Sequence, residues 1–180
     1  MALKATIFKA DLQMTDMDRH YYQAHGLTMA RHPSETDERM MMRLLAFARQ
    51  ADDALVFGKG LSDPDEPDLW RKDPTGAILS WIEVGQPDER RILKACGRAA
   101  QVIVYCYGPT SNIWWGQAQR KLERTRNLTV IRIPSATSLA LGALAQRTMQ
   151  LQCTIDGGQI WMGSCDNMVQ IDVEILREPA

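Results

Sequence analysis

Apolar positions along this chain change period several times, and each change marks an element. Residues 3–12 (LKATIFKADL) alternate polar and apolar side chains, the two-residue period of a strand with one buried face. Residues 19–29 read as a second strand, and the TDMD segment between supplies turn residues for pairing the two. From Ser34 the period lengthens. Met41, Met42, Leu44, Leu45 and Ala48 share one face of a helix, with Ser34 as its N-cap. Asp37 is the capping-box partner, and Glu35 sits in the first turn, where the helix dipole favours an acid. Glu38 precedes Met41, Met42 and Leu45 by three, four and seven residues, so it shares the inward face.

Three short strands follow, ALVFGKGL, PDLWRKD and AILSWIEVG, the last two joined by a Pro-Thr-Gly turn into a hairpin. PDERRILKACGRAA reads as a helix with Pro87 near its start. QVIVYCY is apolar and β-branched throughout, as a strand buried on both faces should be. SNIWWGQAQRKLERTR is a second crossover helix, NLTVIRI another buried strand, and SATSLALGALAQRT a third helix. The tail holds a hairpin with an Asp-Gly-Gly turn, then one further strand, MVQIDVEIL. The order defines an α/β fold with a mixed central sheet flanked by helices. Its core runs helix-strand-strand-strand-helix-strand over residues 33–133, and residues 1–31 and 148–177 form an antiparallel β extension of the same single domain.

Composition narrows the function classes. The 180 residues carry a formal net charge of -1, so nucleic-acid binding would need a local basic patch. The first residues lack the apolar run of a signal peptide, and no segment reaches transmembrane length, so a cytoplasmic protein without a membrane partner is expected. Cys96, Cys106, Cys153 and Cys165 form no CxxC pair and read as reduced thiols, giving a zinc site little support. His20 and His25 fall in the second strand on opposite faces and read as surface or rim.

The chemistry concentrates on Glu83, an acid in the apolar run WIEV. A carboxylate there needs a metal, a basic neighbour or exposure. Arg90, Arg91 and Lys94 are the basic neighbours within reach. Hairpin register supplies another partner. A turn that pairs Asp73 with Ile78 sets Asp68 opposite Glu83, about 5 Å apart at Cβ, and one pairing Asp73 with Gly76 makes them diagonal. A three-residue turn without a bulge sends them to opposite faces. Two acids so placed repel, and a divalent cation relieves the repulsion; oxygen ligands favour magnesium or manganese. Glu38 supplies a third carboxylate if its helix covers the hairpin. Each acid also has a plainer reading: Asp68 as solvated in its acidic, Pro-rich loop, Glu83 in an ion pair, Glu38 bridged to Arg39 or Arg43.

Other features weigh less. Trp114 and Trp115 read as core, with base stacking the alternative. QRKLERTR reads as a solvated helix face balanced by Glu123, with phosphate contact the alternative. Gly58-Lys59-Gly60 lacks the spacing of a phosphate loop, and neither Ser nor Cys sits in a nucleophile elbow.

The segments ALKATIFKA, ARHPSETDERMMMRLLAFA, DEPDLW, WIEVGQPDERRILKAC, IWW and RTMQLQ resemble those of the YaeQ family, and they span most of the chain. The element order, with Pro-Asp on the second core strand and Glu on the third, resembles the core of the PD-(D/E)XK nuclease superfamily, and the resemblance implies a restriction-endonuclease-like core. It maps Pro67-Asp68 and Glu83 onto the motif acids, which bind the metal, and Glu38 onto the helix glutamate, with Glu35 as the fallback. It further implies magnesium-dependent phosphodiester hydrolysis. The motif lysine would stand at Gly85, which has no side chain. Gln86 from a bulge, or Lys94 or Arg90 from the next helix, are the substitutes. Two functions are therefore expected: a magnesium- or manganese-dependent nuclease-like protein, or a non-catalytic module of the same fold that binds nucleic acid or a protein.

Overall fold

The computed structural model describes residues 3–180. In chain order the elements are β1 (Thr6–Asp16), β2 (Tyr21–Arg31), α1 (Asp37–Arg49), β3 (Leu55–Phe57), β4 (Leu69–Lys72), β5 (Ile78–Val84), α2 (Glu89–Cys96) and β6 (Ala99–Tyr107). There follow α3 (Ser111–Leu122), β7 (Leu128–Ile133), α4 (Ser135–Gly142), β8 (Thr148–Asp156), β9 (Gln159–Ser164), β10 (Asn167–Ile171) and β11 (Glu174–Arg177). The result is a mixed α/β fold with two mixed sheets and, among the described residues, four α-helices. The chain divides into two compact units, one of Met1–Arg49 with Ala136–Asp172, the other of Gln50–Ser135 with Val173–Ala180.

The first unit is built on a sheet of order β10-β9-β8-β1-β2. Strands β1 and β2 form one long antiparallel ladder, and β1 buries alternate residues, Phe8, Ala10, Leu12 and Met14. His20 lies in the turn at φ 54°, outside the strand expected to hold it. His25 does lie on β2, where its Nε2 meets Tyr21 Oη at 2.7 Å and its ring packs edge-on against Phe47. On its other side β1 pairs with β8 in parallel, so the extension is mixed rather than antiparallel. A parallel neighbour requires a long connection, and more than a hundred residues separate the two strands.

Helix α1 starts later than expected. Thr36 Oγ1 accepts the Arg39 N–H at 3.1 Å and is the cap; Ser34 Oγ is instead 2.7 Å from His32 Nδ1. Residues from Met40 through Ala48 are all buried, so the helix is covered around its circumference rather than on one stripe. Arg43 shares that burial because Glu35 Oε1 accepts its Nε at 2.9 Å and Ala30 O its Nη2 at 3.1 Å.

The second unit holds a sheet of order β11-β7-β6-β5-β4-β3, with β5, β6 and β7 parallel. Val102, Val104 and Cys106 of β6 lie in one core cluster with Ile92 and Ala95 of α2 and Ala118 and Leu122 of α3. The alternation of β6 sends Ile103 and Tyr105 to its other face, so the strand is buried on both sides. The stretch read as one final strand is two. It breaks at residues 172–173: β10 adds to β9, while β11 joins β7 in the other sheet, where Glu174 pairs with Arg132 at 2.6 Å.

Candidate functional site

Hairpin β4–β5 sets the register of the two acids. Asp73 N donates to Ala77 O at 2.9 Å, enclosing Pro74, Thr75 and Gly76 in a three-residue turn. Such a turn alone would put Asp68 and Glu83 on opposite faces. The ladder then shifts: Lys72 faces Ile78 but Arg71 faces Ser80, so Leu79 is an extra residue and the faces are restored. Leu69 pairs with Ile82, and Asp68, one residue before the ladder begins, donates its N–H to the Ile82 O at 3.1 Å. Asp68 thus flanks Glu83, and its Oδ2 accepts the Val84 N–H at 2.8 Å.

Both acids are buried, Asp68 to 1 % exposure and Glu83 to 4 %. Glu83 shares a strand face with Trp81, which belongs to the cluster under α2. That orientation explains its partners. Glu83 Oε1 accepts Trp81 Nε1–H at 2.8 Å and Arg91 Nε–H at 2.7 Å. Burial raises the Glu83 proton affinity, and the Asp68 carboxylate adds to the effect; Arg91 and Trp81 oppose it. Among the described residues, both donors fall on Oε1.

Arg91 also holds the approach loop. Its Nη1 donates to Pro64 O at 2.7 Å and its Nη2 to Glu66 O at 2.8 Å. Lys94, one turn on, pairs with Asp65 at 2.8 Å, and both side chains are largely exposed. Lys94 therefore secures the loop rather than the acids. Arg90 is exposed, and its N–H is taken by the α2 cap, Asp88 Oδ1, at 2.8 Å. Gln86 turns elsewhere, donating to Tyr107 O at 3.1 Å and Thr110 Oγ1 at 2.9 Å. Gly85, at φ 112°, is left-handed, and its N–H continues the ladder to Tyr105 O at 2.9 Å.

The two glycines without a phosphate-loop pattern have another use. Gly58 N donates to Asp68 O at 2.9 Å and Gly60 N to Pro67 O at 3.2 Å. A side chain at Gly60, whose φ is +50°, would come 2.6 Å from Asp68 Oδ1. Only glycine lets this backbone lie so close to the acid.

Glu38 belongs to the first unit, where its Oε1 accepts Ser138 Oγ–H at 2.7 Å. Glu35, its fallback, is committed to Arg43 at 2.8 Å and lies 3.4 Å from Arg39. Among the described residues, no three His, Cys, Asp or Glu side chains group so as to hold a metal. Asp68 and Glu83 are the predicted acids that the structure brings together, and Arg91 is a cation that reaches Glu83. Sequence reasoning weighed Arg91 only as an ion-pair partner; its place directly before the buried Ile92 was the available signal.

Fold and site together define a mixed α/β protein with two buried carboxylates at its central hairpin, Glu83 clamped by Arg91 and Asp68 held by the Val84 N–H. The family model for YaeQ protein matches residues 1–173, and the chain belongs to the YaeQ family. It is 45 % identical over 181 residues to the YaeQ protein of Salmonella typhi and 44 % identical to that of Escherichia coli K12, covering 100 % of each pair. Among solved structures, that of the YaeQ protein from Xanthomonas axonopodis pv. citri superposes with a TM-score of 0.93 at 49 % identity, over 97 % of this chain and 99 % of that one. The YaeQ protein from Pseudomonas syringae gives 0.91 at 34 % identity, over 97 % of each chain. No helix among the described residues is long and apolar enough to cross a membrane.

Proposed function

We propose that this chain is a metal-dependent phosphodiesterase of the PD-(D/E)XK nuclease kind, with Asp68 and Glu83 as ligands of one magnesium or manganese ion. The observation that carries the reading is the pairing itself. Two buried acids stand close together at the β4–β5 hairpin, Asp68 directly before β4 and Glu83 on β5, and Glu83 has a raised proton affinity that an added positive charge would relieve. The donor set suits a small hard cation. Magnesium keeps most of its waters and takes one or two carboxylates, so a third acid is not needed, whereas calcium or zinc would require more protein ligands.

A bound magnesium ion would supply an activated water and neutralise charge on the phosphate. The chain's own residues do the rest. Asp68 and Glu83 hold the ion, with Asp68 fixed by the Val84 N–H. Arg91, 2.7 Å from Glu83, is the residue to which this reading gives the missing lysine's charge. Its guanidinium can stabilise charge developing on a phosphate oxygen, but it is a poor proton donor or acceptor at neutral pH.

One observation favours the second reading, a non-catalytic module: Arg91 already balances Glu83, as a structural ion pair would. Cleavage assays with single- and double-stranded DNA and RNA in magnesium or manganese separate the two. The first reading expects cleavage of at least one substrate, abolished by Asp68→Asn and by Glu83→Gln. Absence of cleavage of all of them, by a folded protein that also fails to bind manganese, would overturn the first.

A further inference from the structure

A second place in the same unit combines features that recognise an anionic aromatic ligand. An open cavity of about 460 Å³ lies between α3 and β11, lined by Trp115, Gln119, Arg120, Glu123, Leu176 and Arg177. The two adjacent tryptophans differ in their commitments. Trp114 Nε1 donates to Pro87 O at 2.9 Å, which fixes it in the fold. Trp115 makes no hydrogen bond among the described residues; it rests against the core cluster and borders the cavity.

The cations there are unbalanced. Arg177 Nη2 donates to Thr125 O at 2.5 Å and Glu123 O at 3.3 Å, both neutral carbonyls, and its buried Nε meets no acceptor among the described residues. A half-buried guanidinium without a carboxylate favours an incoming anion. Arg120, Arg124 and Arg126 are exposed and form no ion pair among the described residues. Glu123 is the one acid in the lining, so the surface is net positive on a chain of formal charge -1.

We propose that this cavity is a single-stranded nucleic-acid site, with Trp115 as the platform for an unpaired base and Arg120 and Arg177 as contacts for the flanking phosphates. Aromatic stacking requires a base face that a duplex does not offer, and arginines beside it give affinity without sequence preference. The site does not depend on the metal reading of Asp68 and Glu83.

The test is fluorescence anisotropy of labelled oligo(dT) and oligo(U) of about 12 nucleotides, in EDTA at low salt. Trp115→Ala should weaken binding roughly five-fold or more, with Trp115→Phe restoring most of it. The exposed Arg120→Ser should weaken binding and lower the log-log salt slope by about one. The tighter of the two oligomers identifies DNA or RNA as the source. The proposal is overturned if the parent shows no binding at about 100 µM protein. It is also overturned if Trp115→Ala and Arg120→Ser, shown folded by circular dichroism, bind like the parent, or if poly-glutamate displaces the oligomer equally well.

Discussion

Arg91 Nε donates to Glu83 Oε1 at 2.7 Å, and the same guanidinium ties Pro64 O and Glu66 O, so one side chain joins helix α2, the central hairpin and the loop before Asp68. The pair is unequal in exposure: the Arg91 side chain is 25 % exposed and the Glu83 side chain 5 %. Removing the arginine strands an acid that cannot reach water.

Arg91→Ala should therefore destabilise the protein by about 2–3 kcal/mol, below the full cost of breaking a wholly buried pair because Arg91 is partly solvated. Urea unfolding measures it. Glu83→Gln in the same chain should recover part of the loss, and strictly additive effects would mean the two side chains are not coupled. Manganese should bind Arg91→Ala tighter by roughly an order of magnitude, since a like charge beside the ion is gone.

The sign of the Glu83 shift sets a pH dependence. Its folded-state pKa lies above the ordinary 4.5, raised by burial first and by Asp68 second. Between 4.5 and the raised value the folded protein holds a proton that the unfolded chain has released, so stability from this group falls as pH rises through that window. The parent-minus-Glu83→Gln difference in unfolding free energy should decline across it. A difference that grows with pH there would reverse the assignment. Metal affinity should run the other way and strengthen with pH, because the ion displaces that proton.

Gly60→Ala acts on Asp68 without touching its chemistry. The new Cβ would need a left-handed backbone and lie 2.6 Å from Asp68 Oδ1, so about 1–2 kcal/mol should be lost. If Asp68 is a ligand, manganese affinity should fall too, in a protein that still melts cooperatively.

The sequence carried the chain order of elements over residues 50–133 and the neighbourhood of Asp68 and Glu83, because alternation in WIEV and the Pro-Thr-Gly turn constrain the hairpin to few registers. It did not carry the bulge at Leu79, which no glycine or proline marks and which only the ladder reveals. Lys94 and Arg90 were plausible cations from their helix faces alone. The roll of α2 on the sheet decided for Arg91, and that roll follows from burial of Ile92 and Ala95 against β6. Ser34 and Thr36 are both good caps two residues apart, and His32 settles the choice by taking the Ser34 hydroxyl. The parallel β1–β8 pair joins segments remote in sequence, and the break between β10 and β11 falls in a run without turn residues other than Asp172. Long-range pairings of this kind leave no local signature. Glu38 is half-buried in the first turn of a helix that is buried all round from Met40 to Ala48, so face alone could not say what it meets.

The central claim is that Asp68 and Glu83 bind a divalent cation, and calorimetric titration of manganese into the parent protein and into Asp68→Asn tests it most directly. The account predicts saturable binding of one ion per chain, lost in Asp68→Asn and in Glu83→Gln, with a melting temperature that rises by a few degrees at ten times the dissociation constant, where linkage gives about 1.4 kcal/mol. No heat of binding and no change in melting temperature at millimolar manganese, in a parent protein shown to be folded, would contradict it.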